Sequence, residues 1–398
     1  MLRTHDVSVA TLRATDRALS EGVPKTVSRL LFIDNIRTML TIQVVMFHVM
    51  VIYAGTGGWL YKEGREDFVT GALGAYFVTV SQAFFMGLFL FVAAYFVPGA
   101  YDRKGAARFL KDRLVRLGIP LLVYSWILSP LLVYLVLRQT QGVSLPWVDY
   151  LPGVKYEAFI GSGPLWFVET LLIFSLLYAL WRFLTKSRPA ASPATTPFPG
   201  NAAIALFAAL LAVAGFLIRL WRPIFWNFSP LNLQFPFFAQ YIALFVVGLI
   251  AYRRNWLLNL PARTGKVWLV VGIVTILLFW PMVLAGNMNI EPFLGGWQWQ
   301  AFAFALWESF VCVGTCIGII YLFRRRADHQ GRLAQTLSRN AYGAYVIHGV
   351  VITVIALLVR EMDVYPLLKW ALVSAVSIPL CFGLSALIRK LPAVDRVL

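Results

Sequence analysis

The sequence predicts an all-α polytopic membrane bundle of about ten transmembrane helices. Three observations carry that prediction. The first is composition: 60% of the 398 residues are hydrophobic and 13% are charged, about half the charged share of a soluble domain. Mean hydropathy is +0.73. The second is spacing: apolar runs near the ~20 residues that cross a hydrocarbon core recur along the whole chain. The third is where the basic residues fall. With the N-terminus placed in the cytoplasm, 27 of the 35 Lys and Arg lie in cytoplasmic segments. The other eight are Lys62, Arg65, Arg138, Lys155, Arg219, Arg222, Arg360 and Lys369, on outer loops and flanks. This bias sets orientation in a membrane, and it puts both termini in the cytoplasm. It also accounts for the net charge of +17, so the expected partner is the lipid bilayer and not nucleic acid.

Residues 1–28 are polar and of mixed charge, a flexible cytoplasmic tail without the apolar core of a secretion signal. A single transmembrane domain then covers 29–398. Its spans are expected at about 36–53, 72–97, 117–137, 164–184, 203–220, 236–252, 267–284, 298–323, 341–359 and 366–388. The basic stretch 98–116 between the second and third spans reads as an inner loop. The outer loop 138–163 carries Trp147, Tyr150 and Tyr156, residues suited to the membrane interface. Prolines and small polar residues make 185–200 a loose cytoplasmic linker. Cys312, Cys316 and Cys381 all fall inside spans as packing residues, without metal-binding spacing, so no metal is expected.

The first span carries an unusual polar stripe. Arg37 and His48 are eleven residues apart. At ~100° per residue that is three turns plus ~20°, so both side chains share one helix face. At ~1.5 Å per residue they differ in depth by ~16 Å. The orientation places Arg37 at the cytoplasmic end and His48 near the bilayer middle. Glu169, Glu308 and His348 are the other titratable groups within spans. Such groups are costly in a membrane and usually face an interior pathway. Each also has a plainer reading. His348 can hydrogen-bond a neighbouring helix. Glu308 can pair with a histidine or with Tyr342, and Glu169 can cap an interfacial turn. Arg37 alone would be a snorkelling anchor. Arg113 and Arg116 lie nearest the membrane in the basic stretch, where a guanidinium could meet a phosphorylated ligand. His5 and His329 sit in polar segments as solvated bystanders.

These residues resemble a known pattern. Arg37, ten intervening residues and His48 are similar to the Arg-x10-His signature of the membrane acyltransferase 3 family, and Ile33-Asp34-Asn35-Ile36 precedes it much as in that family. Phe84-Phe85-Met86 with Tyr95-Phe96, the basic loop from Arg103 to Arg116 and Pro120, Leu165-Trp166-Phe167, and Asn340-Ala341-Tyr342 through Tyr345 to His348 follow in family order. Ala93-Ala94 replaces a common Ser-Gly pair, and Ala341 stands where serine is common. The resemblance is loosely to the branch of periplasmic glucan succinyl-modifying proteins, in a stand-alone form. It implies transfer of an acetyl or succinyl group from cytoplasmic acyl-CoA to a hydroxyl of a sugar, glycan or related acceptor, at a bacterial inner membrane. It further implies His48 as general base or transient acyl carrier, and Arg37 as a second catalytic residue that holds the donor phosphates or polarises the donor. Arg113 and Arg116 would extend the donor site, and Glu169 and Trp166 would meet the sugar, with His348 and Glu308 as further substrate-site candidates. A secondary transporter of a small anion or proton-coupled solute would use the same midplane groups, although no repeat or paired broken span is visible.

Overall fold

The computed structural model describes residues 29–398 apart from 56, 64–66, 145, 148, 150–160, 186–195 and 230. Among the described residues ten helices are long and apolar enough to cross a membrane: α1 (Leu31–Ala54), α2 (Phe68–Tyr95), α3 (Val97–Gln141), α4 (Gly163–Leu184), α5 (Asn201–Arg219), α6 (Phe235–Arg253), α7 (Ala262–Ala285), α8 (Trp299–Arg326), α9 (Arg332–Leu358) and α10 (Pro366–Ile388). Among the described residues there is no strand, only an isolated bridge between Phe228 and Leu233. That is the expected outcome for a backbone in lipid, which must satisfy its own N–H and C=O groups. The chain is an integral membrane protein. The predicted tail 1–28, most of the 185–200 linker, Tyr150 and Tyr156 lie outside the described residues.

The sequence punctuates the helices locally. α1 stops at Gly55, whose φ of 68° suits a residue without a Cβ. α2 starts on Asp67, which accepts hydrogen bonds from the backbone N–H groups of Val69 and Thr70, satisfying two donors that a helix start leaves open. α1 lies at the centre and packs against α2, α8, α9 and α10. α6 lies on α2, and α5 and α7 lie on α8. The crossing of α7 and α8 is close because Gly272 faces Gly314. A Cβ on Gly314 would stand 2.6 Å from the Gly272 nitrogen, so this contact belongs to the small-residue packing that lets membrane helices associate. α5 and α7 turn Leu206, Leu210, Val270 and Leu277 outward, towards lipid.

Two expectations about boundaries are corrected. The basic stretch 98–116 is not a loop: it is the first part of α3. Gly105 breaks its helical geometry with φ 73° and ψ 167°, and wide turns at Leu114–Gly118 and Tyr124–Leu128 carry the helix past Pro120 and Pro130. The ninth span begins at Arg332, not 341. Helix propagates through its polar first turns, which extend beyond the apolar run that marks the span.

One end of the bundle collects Arg37, Arg113, Arg116 and Tyr342, and is called the basic face below. There the start of α1 is pinned to the α8–α9 connection. Phe32 N–H donates to Asp328 at 3.1 Å. The Asn35 amide donates to the carbonyls of Ala327 and His329 at 2.7 and 3.0 Å.

Candidate active site

The fold brings together two histidines that are 300 residues apart. His48 of α1 and His348 of α9 approach with Nδ1 of His48 3.2 Å from Nε2 of His348. His348 is fully buried and His48 is half-buried. Hydrogen-bond logic orders their protons. Nδ1 of His348 meets the carbonyl of Tyr345, which can only accept, so that nitrogen carries the hydrogen. Neutral His348 then offers a lone pair at Nε2. Nδ1 of His48 faces that lone pair and the Val44 carbonyl at 3.0 Å. Both are acceptors, so His48 carries its hydrogen on Nδ1 and keeps a lone pair on Nε2. The pair therefore presents a basic nitrogen whose tautomer is fixed by its neighbours.

His48 lines a cavity of about 380 Å³ together with Gln82, Phe85, Trp166, Phe237, Glu308 and Tyr345. The walls are mostly apolar with a few placed polar groups, the usual make-up of a small-molecule site. Trp166 is held by stacking on Tyr241, centroids 5.4 Å apart at 27°. Gln82 donates to the Tyr241 oxygen at 3.0 Å. Tyr345 donates to the Pro164 carbonyl at 2.6 Å, which fixes the turn leading into Trp166.

Trp59, on the connection between α1 and α2, lies over the histidines. The Trp59 ring lies 4.4 Å from that of His48, and its Nε1 donates to Thr353 at 3.2 Å. Lys369, 2% exposed, fastens the same loop. Its ammonium donates to Glu63 at 2.6 Å and to the carbonyls of Arg360 and Met362 at 3.2 and 3.1 Å.

Arg37 sits on the basic face with its side chain 46% exposed, 3.8 Å from Asp34. Along α1 it is ~16 Å from His48, at ~1.5 Å per residue. Arg113 and Arg116 lie within electrostatic reach of Arg37. Tyr342 donates to the Arg116 carbonyl, tying the basic stretch of α3 to α9. The three guanidiniums thus form one cationic cluster.

The remaining candidates separate. Glu308 lines the cavity, but its partner is neither a histidine nor Tyr342. It accepts from Arg219 at 2.6 Å, with side chains 8% and 1% exposed. Arg219, counted among the charges of the outer loops and flanks, is buried at the end of α5, with its guanidinium over Phe237 and Phe304 at 5.2 and 5.6 Å. Lys369, also counted among the outer charges, is equally buried. Glu169 is buried beside Ser162 and is not part of the cavity wall. The His329 carbonyl is one of the anchors of α1. Sequence reasoning missed Trp59, Arg219 and Gln82. A tryptophan directly after Gly57-Gly58 at the end of a span was the signal for the first; a lone arginine at a helix end gave none for Arg219.

Residues 30–386 match the family model Acyl_transf_3, described as an acyltransferase domain. Glucans biosynthesis protein C of Salmonella heidelberg (strain SL476) is 25% identical over 234 residues, which is 56% of this chain and 58% of that protein. No solved structure matches. The match runs from the start of α1 almost to the end of α10, and so the chain belongs to the acyltransferase 3 family of membrane proteins.

Proposed function

We propose that this protein moves an acetyl or succinyl group from acyl-CoA, arriving at the basic face, to a hydroxyl of a glycan-type acceptor in the cavity. The observation that carries the reading is the ordered His48–His348 pair on the wall of that cavity. In this reading the basic face and both termini are cytoplasmic and the cavity lies towards the outside of a bacterial inner membrane, which the charge bias of the sequence supports. The family membership supports the reaction class, and the name of the Salmonella relative supports a glucan-type acceptor.

In this reading Arg37, Arg113 and Arg116 hold the phosphates of the donor, since guanidinium forks match phosphate oxygens. Nε2 of His48 takes the proton of the acceptor hydroxyl as its oxygen attacks the thioester carbonyl. The tetrahedral intermediate collapses with cleavage of the C–S bond. The departing CoA sulfur takes the proton back from His48, leaving the new ester and free thiol. Neutral His348 accepts from Nδ1 of His48 throughout, which holds the ring and supports the imidazolium that forms transiently. General base work of this kind contributes about 10²–10⁴-fold. Trp166 offers an aromatic face, and Gln82 and Glu308 offer polar contacts, to a hydroxyl-rich acceptor. Trp59 covers the ring pair and limits water, the competing nucleophile.

The test uses purified protein in sealed vesicles. Thiol release from acetyl-CoA or succinyl-CoA should depend on added glucan, and the acyl mass should appear on the glucan. Absence of acyl transfer, with solute flux that needs no acyl donor, would replace this reading with a transporter.

A further inference from the structure

A second, larger recess lies apart from the histidine cavity, on the side of the bundle. It is a slot of about 760 Å³ between α4 and α6. The two helices meet through Phe174, whose ring packs edge-on against Phe238 and Phe245. Towards the basic face the slot between them is walled by Leu177, Val246, Leu249 and Ile250. Leu177 and Val246 are 54% and 43% exposed. At membrane depth such a slot is filled by hydrocarbon, because no water is there to fill it.

The inner end of the slot is not apolar. Arg182, Arg253 and Arg254 line it. Arg182 and Arg253 both donate to the single carboxylate of Asp102, at 2.9 and 2.6 Å. Arg254 stands over Trp256 at 5.9 Å and is exposed. Among the described residues no carboxylate lies within ion-pair distance of Arg254. Among the described residues, three guanidiniums thus gather around one acid at the ends of α4 and α6.

We propose that this slot is a binding site for an anionic glycerophospholipid of the leaflet at the basic face. One acyl chain lies along Leu177, Val246 and Ile250, and the headgroup phosphate meets Arg253 and Arg254. The match is one of charge and shape together: an apolar channel between two helices ends in a net positive mouth. Zwitterionic lipids fit the channel but gain less at the mouth. Pro98 also lines the slot, so the occupant touches α3 on the segment that leads to Arg113 and Arg116. The site is independent of the acyl-transfer reading.

The experiment is native mass spectrometry of the full chain released from micelles doped with phosphatidylglycerol, phosphatidylethanolamine or a polyprenyl phosphate. Phosphatidylglycerol adducts should be retained over phosphatidylethanolamine by roughly fivefold for each excess basic charge at the mouth. Arg254→Gln should lower that preference several-fold and Arg254→Lys should keep it. Val246→Trp, which fills the channel with another apolar side chain, should abolish retention while the melting temperature stays within a few degrees. Equal retention of the two phospholipids overturns the proposal. So does a preference unchanged in both Arg254→Gln and Val246→Trp. Displacement of phosphatidylglycerol by the polyprenyl phosphate at lower concentration would instead make the slot a site for a lipid-linked substrate.

Discussion

Replacing Arg219 by methionine tests whether the cavity wall is held by its buried ion pair. The guanidinium is 1% exposed, and its Nη2 lies 2.6 Å from Glu308. It also sits over two phenylalanine faces. Methionine fills most of the volume, so packing changes little. What remains is a carboxylate held off water without its cation. Removing one partner of a buried pair costs about 3–5 kcal/mol. Glu308 borders the cavity and can relax by taking up a proton, which places the cost near the lower end, at about 3 kcal/mol. Arg219→Met combined with Glu308→Gln leaves no charge to strand, and exchanging a buried pair for neutral groups is often close to neutral. The double variant should therefore lose no more than about 1 kcal/mol, well short of the sum of the singles. The assay is the unfolding free energy of the four proteins in one detergent. Additivity within about 0.5 kcal/mol would refute the reasoning, because it would mean that the two side chains do not support each other.

Three further predictions concern the site. Arg37→Gln should raise KM for acyl-CoA by roughly 10–100-fold with kcat little changed, since a charge-assisted hydrogen bond is worth about 1.5–3 kcal/mol; steady-state kinetics with varied donor checks this. His348→Phe should cut kcat by about 10²-fold through loss of ring positioning while leaving both KM values in place, and His348→Gln, whose amide oxygen can still accept from His48, should recover part of the loss. Lys369→Met should release the connection between α1 and α2: amide exchange from Gly58 to Glu63 should quicken by about tenfold or more, an opening easier by about 1.4 kcal/mol, and acyl-CoA hydrolysis without acceptor should rise as Trp59 loosens over His48.

Much of this was legible in the sequence, for identifiable reasons. The span count follows from apolar run length, and those runs emerge as α1 to α10. The shared face of Arg37 and His48 follows from helical periodicity alone. The boundaries were less legible where polar residues continue a helix, as in the first turns of α9 and the basic half of α3. Pairings across the bundle were not readable. Nothing local to Glu308 says that its cation is Arg219, 89 residues away on α5. Nothing local to Lys369 says that it reaches Glu63, 306 residues earlier in the chain. The charge rule counts a basic residue by its position along the chain. It carries no information on whether the side chain is solvated or packed inward against an acid, as both of these are. Trp59 was hidden for a related reason: its neighbour His48 is close only after a loop turns back over the end of α1.

His48 is the base on which acyl transfer depends in the proposed mechanism, and the most direct measurement is single-turnover acyl transfer by His48→Gln in proteoliposomes. Glutamine keeps the size and the polar contact but cannot take a proton at neutral pH. With the variant inserted and melting like the parent, the transfer rate should fall by about 10²–10⁴-fold, with donor binding retained at Arg37. A variant that transfers acyl groups at the parental rate would contradict the account.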